Sequence, residues 1–199
     1  MTLRRMAASA GLTFGLATAS LGIAATAGTA AAGASTRAPD IGVAASRGSQ
    51  SVSSQDRTFM DQASQINLTE ISLGKYMHTH ATTTTAKTLG ATYAHDHIGA
   101  QTSLKKLALR LHVTLPTTPG APNQSTEARI ESLKGTNADV AFAKASVSGH
   151  QAAIAVFTKE ESAGSNPAVK AYAAQYLPML RAHLRLAQHA ESVLTPSHS

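Results

Sequence analysis

Apolar residues recur every three or four positions along four long stretches of this chain, and that spacing is the period of one face of an α-helix. The four stretches cover approximately residues 56–81, 85–112, 137–164 and 167–193. No stretch alternates apolar and polar residues over the length of a strand, so the pattern predicts an all-α fold. Prolines and glycine predict a loop over 113–124, and residues 125–134 predict a short helical turn. Two short turns and one longer connection between four helices predict an up-down-up-down four-helix bundle.

The N-terminus has the pattern of a secretory signal peptide. Arg4 and Arg5 precede an uncharged, alanine-rich run, and small residues suited to cleavage follow it. The run is long enough to act instead as a membrane anchor, but its glycines, serines and threonines make it weakly apolar, so cleavage is favoured. We therefore expect a secreted or cell-envelope protein with no membrane span after cleavage. The predicted boundaries are a signal peptide over 1–34, a flexible lead over 35–54, the bundle over 55–194 and a tail over 195–199.

Composition excludes several classes of chemistry. The chain has no cysteine, which rules out disulfides, thiolate metal sites and iron–sulfur clusters. Loss of Arg4 and Arg5 with the signal peptide lowers the formal net charge from +6 to +4, and the remaining basic residues are scattered. We therefore expect no nucleic-acid binding and only weak association with an anionic cell envelope. No phosphate-binding loop, dinucleotide glycine pattern or nucleophile elbow is present, so the sequence names no catalytic residue.

Each predicted long helix carries an ionisable residue inside its apolar face. These residues are Glu70 on the first helix, Asp96 and His97 on the second, His150 on the third and His183 on the fourth. Counting from the turns places them at similar depths, with offsets of about 6 Å of axial rise. The sequence therefore predicts that these groups meet near the middle of the core.

The meeting of these groups has more than one interpretation. A buried carboxylate must be protonated, paired or metal-bound, so one interpretation is a hydrogen-bonded network that fixes helix register. A second is a divalent metal site, with Asp96 either a ligand or a residue that orients a ligand. In a third, the groups do not meet. The sequence lacks the Glu-x-x-His pairs of di-iron bundles. We favour the structural network, with a metal-binding or redox bundle as the alternative and enzymatic activity left open. The predicted ligands are Glu70, His97, His150, His183 and Asp96.

Short motifs surround several of these positions. They are Asp61-Gln62-Ala63, Glu70-Ile71 with Leu73-Gly74-Lys75, His95-Asp96-His97, Gly149-His150, and Leu177-Pro178 followed by His183. Together they span about residues 55–194 and resemble the exported bacterial proteins of the domain of unknown function 4142 family, often called ferritin-like. The resemblance implies a ferritin-like bundle in the envelope or outside the cell, with no established activity. It does not imply iron, because the ferritin ligand pattern is absent.

Overall fold

The computed structural model describes residues 51–195, and within this range the chain forms helices and no strand. The five helices are α1 (Ser54–His80), α2 (Thr84–Leu111), α3 (Ala121–Ser132), α4 (Thr136–Ala163) and α5 (Pro167–Leu194). The predicted all-α class is therefore confirmed, and the long helices lie close to where the periodicity placed them. The predicted signal peptide lies outside the described residues. Among the helices that are described, none is both long enough and apolar enough to span a bilayer.

Side-chain caps determine where three of the long helices begin. The hydroxyl of Ser53 accepts from the backbone N–H of Asp56 at 3.1 Å, and the Asp56 carboxylate accepts from the backbone N–H of Ser53 at 2.7 Å. Thr83 caps α2, and Asn166 caps α5 directly before Pro167. Each cap satisfies backbone donors that have no partner within the helix, so these boundaries follow from local sequence.

The short helix α3 is longer than the sequence pattern indicates. The predicted loop included Pro122, whereas α3 begins at Ala121 and carries this proline in its first turn. Proline is tolerated there because a first-turn N–H has no acceptor within the helix. Ile130 is the buried residue of α3, and the helix lies against α1 and α4.

The helices pack chiefly as two pairs, α1 with α2 and α4 with α5. The first pair approaches most closely at two glycines: a Cβ on Gly74 would lie only 2.7 Å from the carbonyl oxygen of Gly90. Asn67 and His97 stand seven residues, or about two helical turns, from these glycines on the same faces. The close approach of the two backbones therefore brings the α1 and α2 sides of the site together.

Two buried aspartates link the helix pairs. Asp56 of α1 accepts from the backbone N–H groups of Ser165 at 2.9 Å and Asn166 at 3.1 Å, in the α4–α5 turn. Asp139 of α4 accepts from the backbone N–H of Thr83 at 2.8 Å, next to the α1–α2 turn. Burial alone would raise the pKa of Asp56, but its hydrogen bonds lower the pKa to about 2. The start of α1 is thus fixed to the α4–α5 turn, and the start of α4 is fixed to the α1–α2 turn.

Candidate metal centre

Three histidines from three different helices meet in the core. His97 on α2, His150 on α4 and His183 on α5 are each 2% exposed or less. Their ring centroids are separated by 5.3 Å between His150 and His183, 5.4 Å between His97 and His183, and 6.0 Å between His97 and His150. We call these three residues the histidine triad.

A side-chain hydrogen bond determines which nitrogen of His97 carries the proton. Its Nδ1 lies 2.8 Å from Oδ1 of Asn67. The amide nitrogen of Asn67 already donates to Oε1 of Gln101 at 3.1 Å and to the hydroxyl oxygen of Tyr172 at 3.2 Å. Because Oδ1 of Asn67 can only accept, Nδ1 of His97 is the donor and Nε2 keeps its lone pair.

The residues behind Asn67 form a buried network whose members are hydrogen-bonded. Gln101 donates through Nε2 to Oγ of Ser64 at 2.9 Å, and Ser64 donates to the carbonyl oxygen of Pro116 at 2.9 Å. The Tyr172 hydroxyl donates to a backbone carbonyl of α2 at 3.3 Å. Because its members hold one another, this network fixes the amide that orients His97. We call it the polar chain, consisting of Ser64, Asn67, Gln101 and Tyr172.

The backbone of its own helix orients His150. Nδ1 of His150 lies 2.9 Å from the carbonyl oxygen of Ser146, which can only accept, so Nδ1 donates and Nε2 keeps its lone pair. Oε1 of Glu70 lies 3.9 Å from the same Nδ1, which is too far for a hydrogen bond. The Glu70 side chain is 12% exposed, and its burial raises its pKa, while the proximity of His150 acts in the opposite direction. Glu70 therefore lies behind His150, on the Nδ1 side of the ring.

A carboxylate orients His183. Nε2 of His183 lies 2.9 Å from Oδ2 of Asp96, whose side chain is 36% exposed. Since a carboxylate oxygen accepts, Nε2 donates and Nδ1 keeps its lone pair. Burial lowers the pKa of His183, although the bond to Asp96 acts in the opposite direction. Carboxylates paired with imidazoles in this way are common behind metal-binding histidines.

The remaining nitrogen of each triad ring has no hydrogen-bond partner among residues 51–195. These buried, unpaired atoms are Nε2 of His97, Nε2 of His150 and Nδ1 of His183. One ring nitrogen from each histidine lies within 4.8 Å of those of the other two. Burial, together with the neighbouring imidazoles, lowers the pKa of His97 well below the usual 6.5. Three buried acceptors without donors are costly, so their convergence requires a physical reason.

Tyr93 covers one side of the triad without satisfying any of its nitrogens. The Tyr93 ring centroid lies 4.7 Å from those of both His150 and His183. Its hydroxyl donates to the backbone carbonyl of His183 at 3.0 Å. Burial, and secondly the Glu70 carboxylate, raise the pKa of Tyr93, which keeps the phenol neutral. The wall of the site on this side is therefore an uncharged aromatic ring.

The geometry and donor type of the triad fit a transition-metal ion. Neutral imidazole is a preferred ligand of zinc, copper and nickel. Metal–nitrogen bonds of about 2.0–2.1 Å place the nitrogens of a tetrahedral site roughly 3.4 Å apart. One ring nitrogen of each triad histidine lies within 4.8 Å of those of the other two, so the nitrogens must move closer together to reach that spacing. The carboxylates of Asp96 and Glu70 lie close enough to offset part of the charge of a divalent cation.

The structure separates the five residues predicted from the sequence into two groups. The three histidines meet in the core, each with one unpaired ring nitrogen, whereas Asp96 and Glu70 lie beside the other ring nitrogens of His183 and His150. The sequence reasoning missed Asn67, which is 1% exposed and more deeply buried than Glu70. A signal existed, since Asn67 stands seven residues from both Met60 and Gly74 on the buried face of α1.

Comparisons with known proteins identify a family and a fold. Residues 42–190, most of the chain, match the family described as "Domain of unknown function (DUF4142)". No functionally curated protein matches the sequence. A crystal structure of a DUF305 fragment from Deinococcus radiodurans is similar, with a TM-score of 0.62 and 18% sequence identity, covering 72% of this chain and 97% of that one. At this identity the similarity supports the helical fold alone.

Proposed function

The chain belongs to the DUF4142 family, and we propose that it is a metal-binding helical protein whose ligands are the three histidines of the triad. The observation that carries the proposal is the meeting of three buried imidazoles, each with one ring nitrogen that has no hydrogen-bond partner among the described residues. The other nitrogen of each ring donates to a separate oxygen acceptor. Three independent contacts thus keep the proton on one nitrogen of each ring, and the other nitrogen has the lone pair that a metal ion requires.

A purely structural role accounts for the polar chain but not for the triad. In the polar chain each donor meets an acceptor, as a register-fixing network requires. In the triad three acceptors face one another, and a proton on one ring would be needed to supply a donor. Burial lowers the pKa of both His97 and His183, which opposes such protonation at neutral pH. A metal ion accepts three lone pairs at once.

The ligand type favours a late first-row divalent ion. Three imidazoles without thiolate or direct carboxylate ligation suit Zn²⁺ and Cu²⁺ better than Mg²⁺, Ca²⁺ or Mn²⁺, which prefer oxygen ligands. Three protein ligands leave a fourth coordination position for water or a small ligand. The proposed function is therefore binding of one Zn²⁺ or Cu²⁺ ion per chain.

The metal site is proposed to lie in an exported up-down-up-down bundle. The contacts of Asp56 with the α4–α5 turn and of Asp139 with the α1–α2 turn support this order of helices. The pattern of residues 1–34 supports export, with weak attraction of the basic mature chain to an anionic envelope and no role in nucleic-acid binding. N-terminal sequencing of protein recovered after export from a bacterial host tests cleavage. Recovery of an exported chain that still begins at Met1 would contradict cleavage.

Metal titration of the chain tests the proposed function directly. The full chain is expressed without a polyhistidine tag, stripped with chelator, and titrated with Zn²⁺ and separately with Cu²⁺ by calorimetry. We expect one tightly bound ion per chain, and we expect His150→Gln and His183→Gln to abolish tight binding. Failure of the stripped chain to bind either ion at a stoichiometry of one would contradict the proposal.

A matched control separates the triad from other histidines. His189 lies on α5, as His183 does, but its side chain is exposed. His189→Gln should retain the full stoichiometry and affinity. Circular dichroism of each variant checks that it is folded. Equal binding by folded His150→Gln, His183→Gln and His189→Gln would assign the ion to the surface and would overturn the proposal.

A further inference from the structure

A second set of metal-binding groups lies on the outer side of the triad, between α2 and α5. A cavity of about 320 Å³ opens there to solvent. Its lining residues are His95, Asp96, Gly99, Ala100, Tyr176 and Met179. Three of these side chains carry metal-binding atoms of different kinds: the imidazole of His95, the carboxylate of Asp96 and the thioether of Met179. The proposed function uses neither His95 nor Met179.

The sequence His95-Asp96-His97 connects this cavity with the triad. Successive residues of an α-helix point about 100° apart, so three consecutive side chains face three directions. His95 is exposed, His97 is fully buried, and Asp96 lies between them. One oxygen of Asp96 accepts from Nε2 of His183, while the 36% exposure of its side chain leaves the carboxylate in contact with the cavity. Asp96 is therefore adjacent to solvent and to the triad at once.

The charges around the two openings beside the triad favour this cavity for a cation. The larger cleft, about 490 Å³ between α1, α3 and α4, is lined by Glu70 but also by Arg129 and Lys144, which repel a cation. The α2–α5 cavity has no lysine or arginine in its lining. Imidazole, carboxylate and thioether together suit late first-row ions rather than Mg²⁺ or Ca²⁺.

We propose that the α2–α5 cavity is a loading site, at which His95, Asp96 and Met179 bind a divalent transition-metal ion from solution before it passes to the histidine triad. This proposal rests on the proposed function, because a loading site needs a destination. The ion moves by exchange of ligands, from the exposed imidazole and thioether to the carboxylate of Asp96, and from there to the unpaired nitrogens of the triad. Only coordination bonds to the ion are made and broken in this transfer, and no covalent bond of the protein changes.

The kinetics of metal uptake test the loading site. Rapid mixing of the stripped full chain with Cu²⁺ is followed by tyrosine fluorescence, since the chain lacks tryptophan and Tyr93 lies 4.7 Å from two triad rings. We expect the double substitution His95→Ala with Met179→Leu to slow uptake at least about tenfold, as expected when a local capture site is lost. Release should slow equally, so that stoichiometry and affinity at equilibrium stay unchanged. His189→Ala, which removes an exposed imidazole elsewhere on α5, should leave the rate unchanged.

A pair of glycine substitutions tests the route without removing any metal-binding atom. Gly99 lines the α2–α5 cavity and has open space around its Cβ position, while Gly149 lines the larger cleft. Gly99→Leu should slow uptake because its side chain fills the cavity, and Gly149→Leu should not. The reverse pattern would place the route through the larger cleft and would overturn the proposal.

The outcomes for the loading site and for the triad can be told apart. If the unmodified chain binds one Cu²⁺ that is lost in His150→Gln, and the uptake rate is the same with and without His95 and Met179, the loading site is refuted and the triad stands. If the unmodified chain binds neither Cu²⁺ nor Zn²⁺, both proposals fail together. If it binds Zn²⁺ alone, the same comparison of uptake rates is made with Zn²⁺. Loss of equilibrium affinity in the double variant would make His95 or Met179 a ligand of the final site and would also overturn the loading role.

Discussion

The core contains two adjacent groups of buried polar side chains, and they differ in whether their polar atoms are all hydrogen-bonded. In the polar chain, the amides of Asn67 and Gln101 are fully oriented by hydrogen bonds to one another and to neighbouring hydroxyls. In the histidine triad, one nitrogen of each ring is hydrogen-bonded, while the other has no hydrogen-bond partner among residues 51–195. Satisfied polar groups specify a structure, whereas unsatisfied groups held in a common orientation are prepared for a ligand. Metal binding, and substitutions in each of the two groups, test this distinction.

The largest expected effect is the stabilisation of the chain by metal. At a free Zn²⁺ concentration of about a thousand times the dissociation constant, binding should raise the free energy of unfolding by about 4 kcal/mol. Chemical denaturation with and without Zn²⁺ measures this difference. His150→Gln should abolish it, and the exposed-site control His189→Gln should keep it. An equal Zn²⁺ effect in all three proteins would remove the distinction between the triad and the surface.

Asn67 is where the two groups meet, so its substitution should affect metal affinity. Asn67→Leu removes the acceptor for Nδ1 of His97 and frees the ring to turn. Loss of such an orienting contact typically weakens metal binding by about 10–100-fold. Calorimetric titration measures the affinity, and the stoichiometry should stay at one. Unchanged affinity in the folded variant would mean that the polar chain does not prepare the site.

A substitution one step further from the triad should affect stability alone. Gln101→Leu removes one partner from Asn67 and one from Ser64, but each of these residues keeps another hydrogen bond. We expect a loss of about 1 kcal/mol in the free energy of unfolding. Metal affinity should remain close to that of the unmodified chain. A large loss of affinity here, matching that of Asn67→Leu, would show that the two groups act as one unit.

The pH dependence of stability provides a test of the neutral triad in stripped protein. The folded pKa values of His97 and His183 are lowered, so below pH 6.5 the unfolded chain binds protons that the native chain refuses. Stability should therefore fall as the pH drops below about 6.5. Denaturation between pH 5 and 8 in the presence of chelator measures it, with His97→Gln showing a weaker dependence. Glu160 acts in the opposite direction over the same range, so the difference in stability between the unmodified chain and His97→Gln isolates the histidine contribution. A difference that instead falls as the pH rises through this range would mean that the rings are protonated imidazolium groups.

Glu160 is also buried, outside the polar chain and the triad. Its contribution to stability should be smaller than that of the triad and should change with pH in the opposite direction. Glu160 is 1% exposed, and its Oε1 has no hydrogen-bond partner within the described part of the chain. Burial, helped by the nearby Asp56, raises its pKa to about 7. A raised folded pKa stabilises the native state at low pH, and this contribution is lost as the pH rises from about 4.5 through 7. The difference in stability between the unmodified chain and Glu160→Gln should therefore change between pH 5 and 8. A difference that does not vary with pH would contradict this assignment.

The sequence was sufficient to predict that the three histidines meet in the core, but not all of the contacts around them. Each histidine continues an apolar stripe of its helix, and the 3.6-residue period placed all three on buried faces. The same period could not distinguish Asn67 from Glu70 on α1, because a helix that contacts several neighbours buries a face wide enough for both positions. It also could not show that Asp96 contacts His183, since that contact depends on how α2 and α5 are rotated.

The boundaries of the helices were predictable wherever a local signal fixes them. Asn166-Pro167 and Ser53 mark helix starts through caps that operate within four residues. The prediction was wrong at Pro122, which was assigned to a loop although a proline in the first turn is compatible with a helix. Whether such a segment becomes helical depends on what it packs against, here α1 and α4, and that information is not local.

X-ray absorption at the zinc edge of the zinc-loaded chain identifies the ligands of the bound ion. We expect three imidazole nitrogens at about 2.0–2.1 Å from the ion, with a light atom in the remaining position. We also expect Glu70→Gln to leave this ligand set unchanged, because Glu70 lies behind His150 rather than beside its unpaired nitrogen. A spectrum with fewer than three imidazoles, or one dominated by carboxylate oxygens that change in Glu70→Gln, would rule out the histidine triad as the metal site.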